Sequence, residues 1–148
     1  MIEVRAIEVV TVRALGSDLL RRHYDEVALN KDICQLEPDW AKLEQLERAG
    51  ALVACGAWQG EELVGYASSI VTTLMHYASV VVCQNHALFV DPSHRGARVF
   101  RDMRAWTKAE AARRGAKLVL WHAKQGSPLD RILVHSCQVQ DIIYSERV

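Results

Sequence analysis

One stretch of this 148-residue chain concentrates groups that can do chemistry: His86-Ala87-Leu88-Phe89-Val90-Asp91-Pro92-Ser93-His94-Arg95-Gly96-Ala97-Arg98-Val99-Phe100. Its front half reads as a strand, and Asp91-Pro92 ends it because proline donates no ladder hydrogen bond. A short loop with one glycine and two arginines then enters a helix. The first N–H groups of a helix lack intrahelical partners and lie at the positive end of the helix dipole. Such a start can hold an anion, a diphosphate matches it well, and Arg95 and Arg98 add positive charge. Many strand–loop–helix junctions carry an arginine and bind nothing, so these residues leave both readings open.

His86 is the first candidate for proton transfer. Strand alternation places Gln84, His86 and Leu88 on one face. An imidazole with an unperturbed pKa of about 6.5 suits a general base. A histidine merely hydrogen-bonded under the sheet is the alternative. His122, beside Trp121, either lines the same site or caps the following turn. Zinc on Cys83, His86 and His122 has no motif spacing behind it. Asp25, Glu26, Asp32, Glu37 and Asp39 gather in one region, which would draw a cationic amine or simply face water. Arg101, Arg104 and Lys108 form a basic helical stripe that meets either a phosphate or water.

The elements that must position these groups follow from periodicity and punctuation. Residues 2–12 are rich in Ile and Val and predict a strand. Ser17 predicts a helix cap, with Leu20, Tyr24 and Val27 on one side. Pro38 suits the first turn of a second helix, with Trp40, Leu43 and Leu46 inward and Gly50 closing it. Residues 51–58 and 63–72 predict a hairpin around Gln59-Gly60-Glu61-Glu62. A long strand over 79–90 follows. A helix runs from near Arg98 to near Gly115, with Val99, Met103 and Trp106 facing the sheet. Residues 117–122 predict a strand, Ser127-Pro128-Leu129-Asp130 opens a short helix, and 139–148 predict a last strand. Mixed order with two helical layers implies an α/β (α+β) three-layer fold: a mixed sheet of about six strands with helices on both faces.

Half of the residues are hydrophobic, and 18 basic residues balance 18 acidic ones, which suits one domain over 1–148. Zero net charge offers no nucleic-acid footprint. No apolar run reaches the ~18 residues of a membrane span, and Met1-Ile2-Glu3-Val4-Arg5 is unlike a signal peptide. A soluble cytoplasmic protein is expected. Cys34, Cys55, Cys83 and Cys137 form no C-x-x-C pair and read as reduced, mostly interior thiols.

Val90-Asp91-Pro92-Ser93-His94-Arg95-Gly96, followed by an amphipathic helix, Arg114-Gly115-Ala116 and a strand, resembles the GNAT acetyltransferase superfamily. The likeness spans nearly the whole chain and is nearest to short GNAT proteins of the kind encoded in phage genomes. It implies acetyl-CoA as acyl donor and an amine as acceptor, attacked directly. It implies that Leu88, Phe89 and Val90 meet the pantetheine arm through their backbones. Arg95, Gly96, Ala97, Arg98, Val99 and Phe100 would hold the pyrophosphate. His86-Ala87-Leu88-Phe89-Val90 is similar to the His-Ala-Leu-Ala-Val stretch of serotonin-type N-acetyltransferases, which implies that His86 lies in the proton path.

The chain departs from the family pattern at two glycine slots, held here by Arg98 and Phe100. The family's helical tyrosine acid is also missing from Leu133-Val134-His135-Ser136-Cys137-Gln138-Val139. Tyr144 is a distant substitute, while His135 and Ser136 are nearer ones. These departures motivate an alternative, a non-catalytic module of the same fold that engages a protein partner. A last strand without a hairpin partner could pair with a second copy as a homodimer.

Overall fold

A computed structural model describes residues 1–148. The elements in chain order are β1 (Ile2–Ala6), α1 (Val9–Leu15), α2 (Ser17–Val27), α3 (Trp40–Arg48), β2 (Leu52–Gln59), β3 (Glu62–Leu74), β4 (Tyr77–Val90), α4 (Ala97–Arg113), β5 (Leu118–Leu120) and α5 (Pro128–Leu133). The five strands form one mixed sheet in the order β1-β2-β3-β4-β5. Every neighbouring pair is antiparallel except β4 and β5, which run parallel. Helices cover both faces. On one face Val99 and Met103 of α4 pack on Cys55, Ala57, Val64, Ala67 and Val90. On the other, Leu19 of α2 packs with Ile7, Trp58, Leu63, Tyr66 and Phe89.

Local chemistry sets the element ends. α3 begins where the Asp39 carboxylate accepts from the Lys42 N–H, so Pro38 lies just outside the helix rather than in its first turn. It ends in a left-handed Gly50 (φ 71°), with the Gly50 N–H bonded to the Glu47 carbonyl and the Ala51 N–H to the Leu46 carbonyl. α4 ends the same way at Gly115 (φ 86°). Arg114 then donates to the carbonyls of Gly50 and Leu52, which ties the end of α4 to the start of β2. Ser127 caps α5, and Asp130 returns a bond to the Gly126 N–H.

Several further expectations are corrected. Residues 2–12 are not one strand: β1 stops at Ala6 and α1 starts at Val9. The Val9 N–H donates to the Glu47 carboxylate of α3, a tertiary cap that overrides the strand propensity of Val9-Val10-Thr11-Val12. The inward face of α2 is turned by one residue, since Leu19 is buried while Leu20 and Tyr24 are only partly so. The sheet has five strands, not about six, because 139–148 form no strand and every residue there is exposed. The neighbouring ladder gives them little to extend, since β5 contributes only three residues. No helix is long and apolar enough to cross a membrane. Cys55 and Cys83 are buried, Cys137 is partly so, and Cys34 is exposed against expectation.

Candidate active site

The site begins with a ladder that stops. β4 pairs with β5 at only three positions, Val82 with Leu118, Cys83 with Val119 and Gln84 with Leu120. Beyond Gln84, β4 continues to Val90 with no strand on that side. A cleft of about 700 Å³ opens there. Residues 86–90 form one wall, residues 122–124 and the start of α5 form another, and the loop into α4 closes one end. His23, Glu26, Val27 and Leu29 line it from α2 and the residues after it.

A bulge aims His86. Ser68 pairs with Ala87 and Ser69 with Asn85, so His86 is the extra residue between them. The alternation of β4 therefore changes phase. Cys83 packs against Ala111 of α4, and so on the same face do Leu88 and Val90 against Val99 and Met103. Gln84 and Leu88 thus lie on opposite faces, which corrects the simple alternation expected for Gln84, His86 and Leu88. Asn85 is fully buried at the bulge and donates to the Ser68 carbonyl, the Ser69 hydroxyl and the Ala87 carbonyl. This amide fixes the irregular backbone that presents His86 to the cleft. The His86 ring meets His122 edge to face, with centroids 5.6 Å apart. Partial burial, with the second imidazole adding to it, pushes the His86 pKa down. The ring is therefore a neutral acceptor near pH 7.

The far end of the cleft is the start of α4. No side chain caps it, and Gly96 in extended conformation leads in. A Cβ at Gly96 would meet nothing within 4 Å, so the space above this backbone is open. Arg95, Gly96, Ala97, Val99 and Phe100 line the cleft; Arg98 does not, and faces Asp102 on the outer side at 3.5 Å. Arg95 is already engaged. Its Nε donates to the Val90 carbonyl at 2.8 Å, its Nη2 donates to Glu26 at 2.6 Å, and its guanidinium lies 5.2 Å from the Phe89 ring centroid. Phe89 is sandwiched, because His23 stacks on it at 5.0 Å.

His23 escaped the sequence reading. It lines the cleft and shares a 2.5 Å hydrogen bond with the Tyr66 hydroxyl. Burial lowers its pKa, against a weaker opposing pull from Glu26. Its signal was its spacing, four residues after buried Leu19 and four before Val27, which puts it on the inner stripe of α2. The residue before it, Arg22, donates to Asp91 at 2.6 Å, and the Ser93 N–H and hydroxyl also donate to Asp91. Arg22 holds the Asp91 carboxyl far below the usual carboxylate range.

Other expected site residues lie elsewhere. Tyr144 is 86% exposed and does not line the cleft. Of the acidic group only Glu26 reaches the cleft; Asp32 pairs with Arg147, Asp39 caps α3, and Asp25 and Glu37 are exposed. Arg104 donates to Ser136 and Cys137, and Arg101 and Lys108 face solvent. No three His, Cys, Asp or Glu side chains converge as a metal-binding group.

The backbone resembles solved acetyltransferases over its whole length. Ribosomal-protein-alanine N-acetyltransferase from Brucella melitensis superposes with a TM-score of 0.72 at 17% identity, covering 100% of this chain and 99% of that one. Glucosamine-6-phosphate N-acetyltransferase from Arabidopsis thaliana gives 0.72 at 12% identity, covering 99% and 98%. An acetyltransferase from Clostridium acetobutylicum, solved with acetyl-CoA, gives 0.70 at 16% identity, covering 99% and 96%. No protein-family model matches the chain. No curated protein matches it in sequence. At these identities the likeness is one of architecture: the chain has the fold of the GNAT acetyltransferases.

Proposed function

We propose that the chain is an N-acyltransferase that moves an acetyl group from acetyl-CoA to an amine by direct attack. The observation that carries this reading is the unzipped side of β4. It offers a strand edge with no neighbouring strand that leads from His86 to the uncapped start of α4, where Arg95 holds the Val90 carbonyl. An extended amide-containing arm with a diphosphate at one end fits both features. Leu88, Phe89 and Val90 would meet the arm through backbone groups. The N–H groups at Ala97, Arg98 and Val99 would face the diphosphate, with Arg95 alongside. Gly96 leaves room for close approach. Phe100 is partly buried and forms part of the wall, so the arm passes over a ring where the family pattern has a small residue.

In this reading His86 takes the proton of the incoming ammonium, and its lowered pKa keeps it free to do so at neutral pH. Glu26, at the cleft rim on α2, supplies the negative charge that draws the amine. Acetyltransferases of this fold act on acceptors as different as a ribosomal-protein alanine, glucosamine 6-phosphate and aminoglycosides. For this chain the acceptor class is an amine small or extended enough to reach His86.

The deciding experiment is titration with CoA, followed by thiol release from acetyl-CoA over a panel of amines. Saturable CoA binding, weakened when Arg95 is changed to Ala, and amine-dependent thiol release are expected. Absence of binding at millimolar CoA would leave the partner-binding module as the better account. The exposed 139–148 segment and the unpaired outer side of β5 also support pairing of two copies. A mass of one chain by light scattering at high concentration would exclude that dimer.

A further inference from the structure

The acyl-transfer reading leaves the sulfur without a proton donor. Tyr144 lies outside the cleft. Ser136 and Cys137 are held by Arg104. The other titratable and charged side chains that line the cleft are His23, Glu26, Arg95 and Lys124. Each is committed: His23 to the Tyr66 hydroxyl, Glu26 and Arg95 to each other, and Lys124 to the Val27 carbonyl at 2.6 Å. Ser127 is spent as the cap of α5. His122 is the exception. It lies two residues beyond the end of β5, lines the cleft, and packs edge to face with His86 at 5.6 Å between centroids, with no protein hydrogen-bond partner.

We propose that His122 is the second proton carrier of the reaction, delivering to the departing sulfur the proton shed by the attacking nitrogen. The inference rests on the acyl-transfer reading. The steps balance as follows. His86 accepts the first proton of the ammonium and passes it to solvent. The neutral amine forms the N–C bond, and the carbonyl π pair moves to oxygen. His122 takes the extra proton from the nitrogen of the tetrahedral adduct. The oxygen pair returns, the C–S bond breaks with its electrons on sulfur, and His122 gives its proton to the thiolate. The products are amide, free thiol and one proton, and both imidazoles end as they began. Two adjacent rings lining one cleft suit this division, because the nitrogen and the sulfur leave the carbonyl carbon in different directions.

The test compares wild type, His122→Gln and His122→Ala on two acyl donors, acetyl-CoA and p-nitrophenyl acetate, whose leaving group needs no proton at neutral pH. CoA affinity and thermal melting are measured alongside. For both variants the expected result is a fall in kcat with acetyl-CoA of about a hundredfold, the low end for loss of one acid–base group. CoA affinity should stay within twofold, and the loss on p-nitrophenyl acetate within about threefold. Equal losses on the two donors would overturn the proton-to-sulfur role, and so would turnover of His122→Gln within threefold of wild type. Wild-type protein that binds no CoA would overturn the acyl-transfer reading itself, and this inference with it.

Discussion

The two ends of the cleft are built by different means. The strand end, around His86, is set by backbone and core: a bulge, a buried asparagine with three donor bonds, and Phe89 at 3% exposure. The loop end is held through the Arg95 side chain, which bonds the Val90 carbonyl, lies over Phe89 and pairs with Glu26, both ion-pair partners being about a third exposed. Buried amide bonds and packed rings hold one geometry, because breaking them leaves unpaired groups or a cavity. A half-exposed ion pair is worth little and exchanges partners readily. The strand end thus holds a fixed geometry, while at the loop end Arg95 is already paired with a carboxylate, with which the diphosphate of the proposed donor would compete.

Changes at the strand end should be large and should strike turnover or folding. His86→Ala should lower kcat by about 10²–10⁴-fold with little change in CoA affinity, the range typical of one acid–base group. In the wild type the acid limb of the kcat/KM profile should fall below pH ~6.5, since the His86 pKa of the free protein is lowered. A limb above that value would break the assignment. Phe89→Ala should cost about 3–5 kcal/mol in denaturant unfolding, as for other buried rings, and should loosen His23 as well.

Asp91 stands where the two ends meet. Its folded-state pKa is depressed by Arg22, so the stability it contributes is complete above its unfolded value near 3.9 and fades as pH falls through the lowered folded value. Asp91→Asn should therefore melt lower than wild type at pH 7, by an amount equivalent to about 1–3 kcal/mol, and the gap should close in strong acid. A gap that persists unchanged at pH 2 would contradict the ion pair.

At the loop end the effects should be smaller and of opposite sign. Arg95→Ala should weaken CoA by about tenfold, equivalent to ~1.4 kcal/mol, whereas Glu26→Gln should tighten it by about threefold while raising KM for the amine. Weaker CoA binding by Glu26→Gln would erase the contrast between the two ends. The smallest effect belongs to Tyr144→Phe, for which turnover within twofold of wild type is expected, because its side chain is outside the cleft.

Much of the scaffold was legible because it is written in local chemistry. The hairpin at Gly60, the Ser127 cap, the glycine stops at Gly50 and Gly115 and the Asp91-Pro92 break each act within a few residues. Features that depend on distant partners were not legible. Val9-Val10-Thr11-Val12 looks like a strand until Glu47 caps it from another helix. The bulge at His86 is silent in sequence, since the polar run Gln84-Asn85-His86 between apolar neighbours fits either phase. The cleft's location followed from a family likeness and a helix start, but its wall from α2 did not. Glu26 was grouped with carboxylates that the fold scatters, and His23 was overlooked because the helix face was read one residue off.

The three-residue junction of β4 with β5 carries one more consequence. Only from Val82 to Gln84 does the strand lie between two neighbours; toward Val90 β3 alone protects it. Deuterium uptake should therefore change character midway along a single strand: slow from Val82 to Gln84, then alternating fast and slow toward Val90. A ligand lying along the open side would slow the fast amides and leave the rest as they were. Isotope labelling of β4 would thus report occupancy of the cleft, even for a molecule that is bound without reacting.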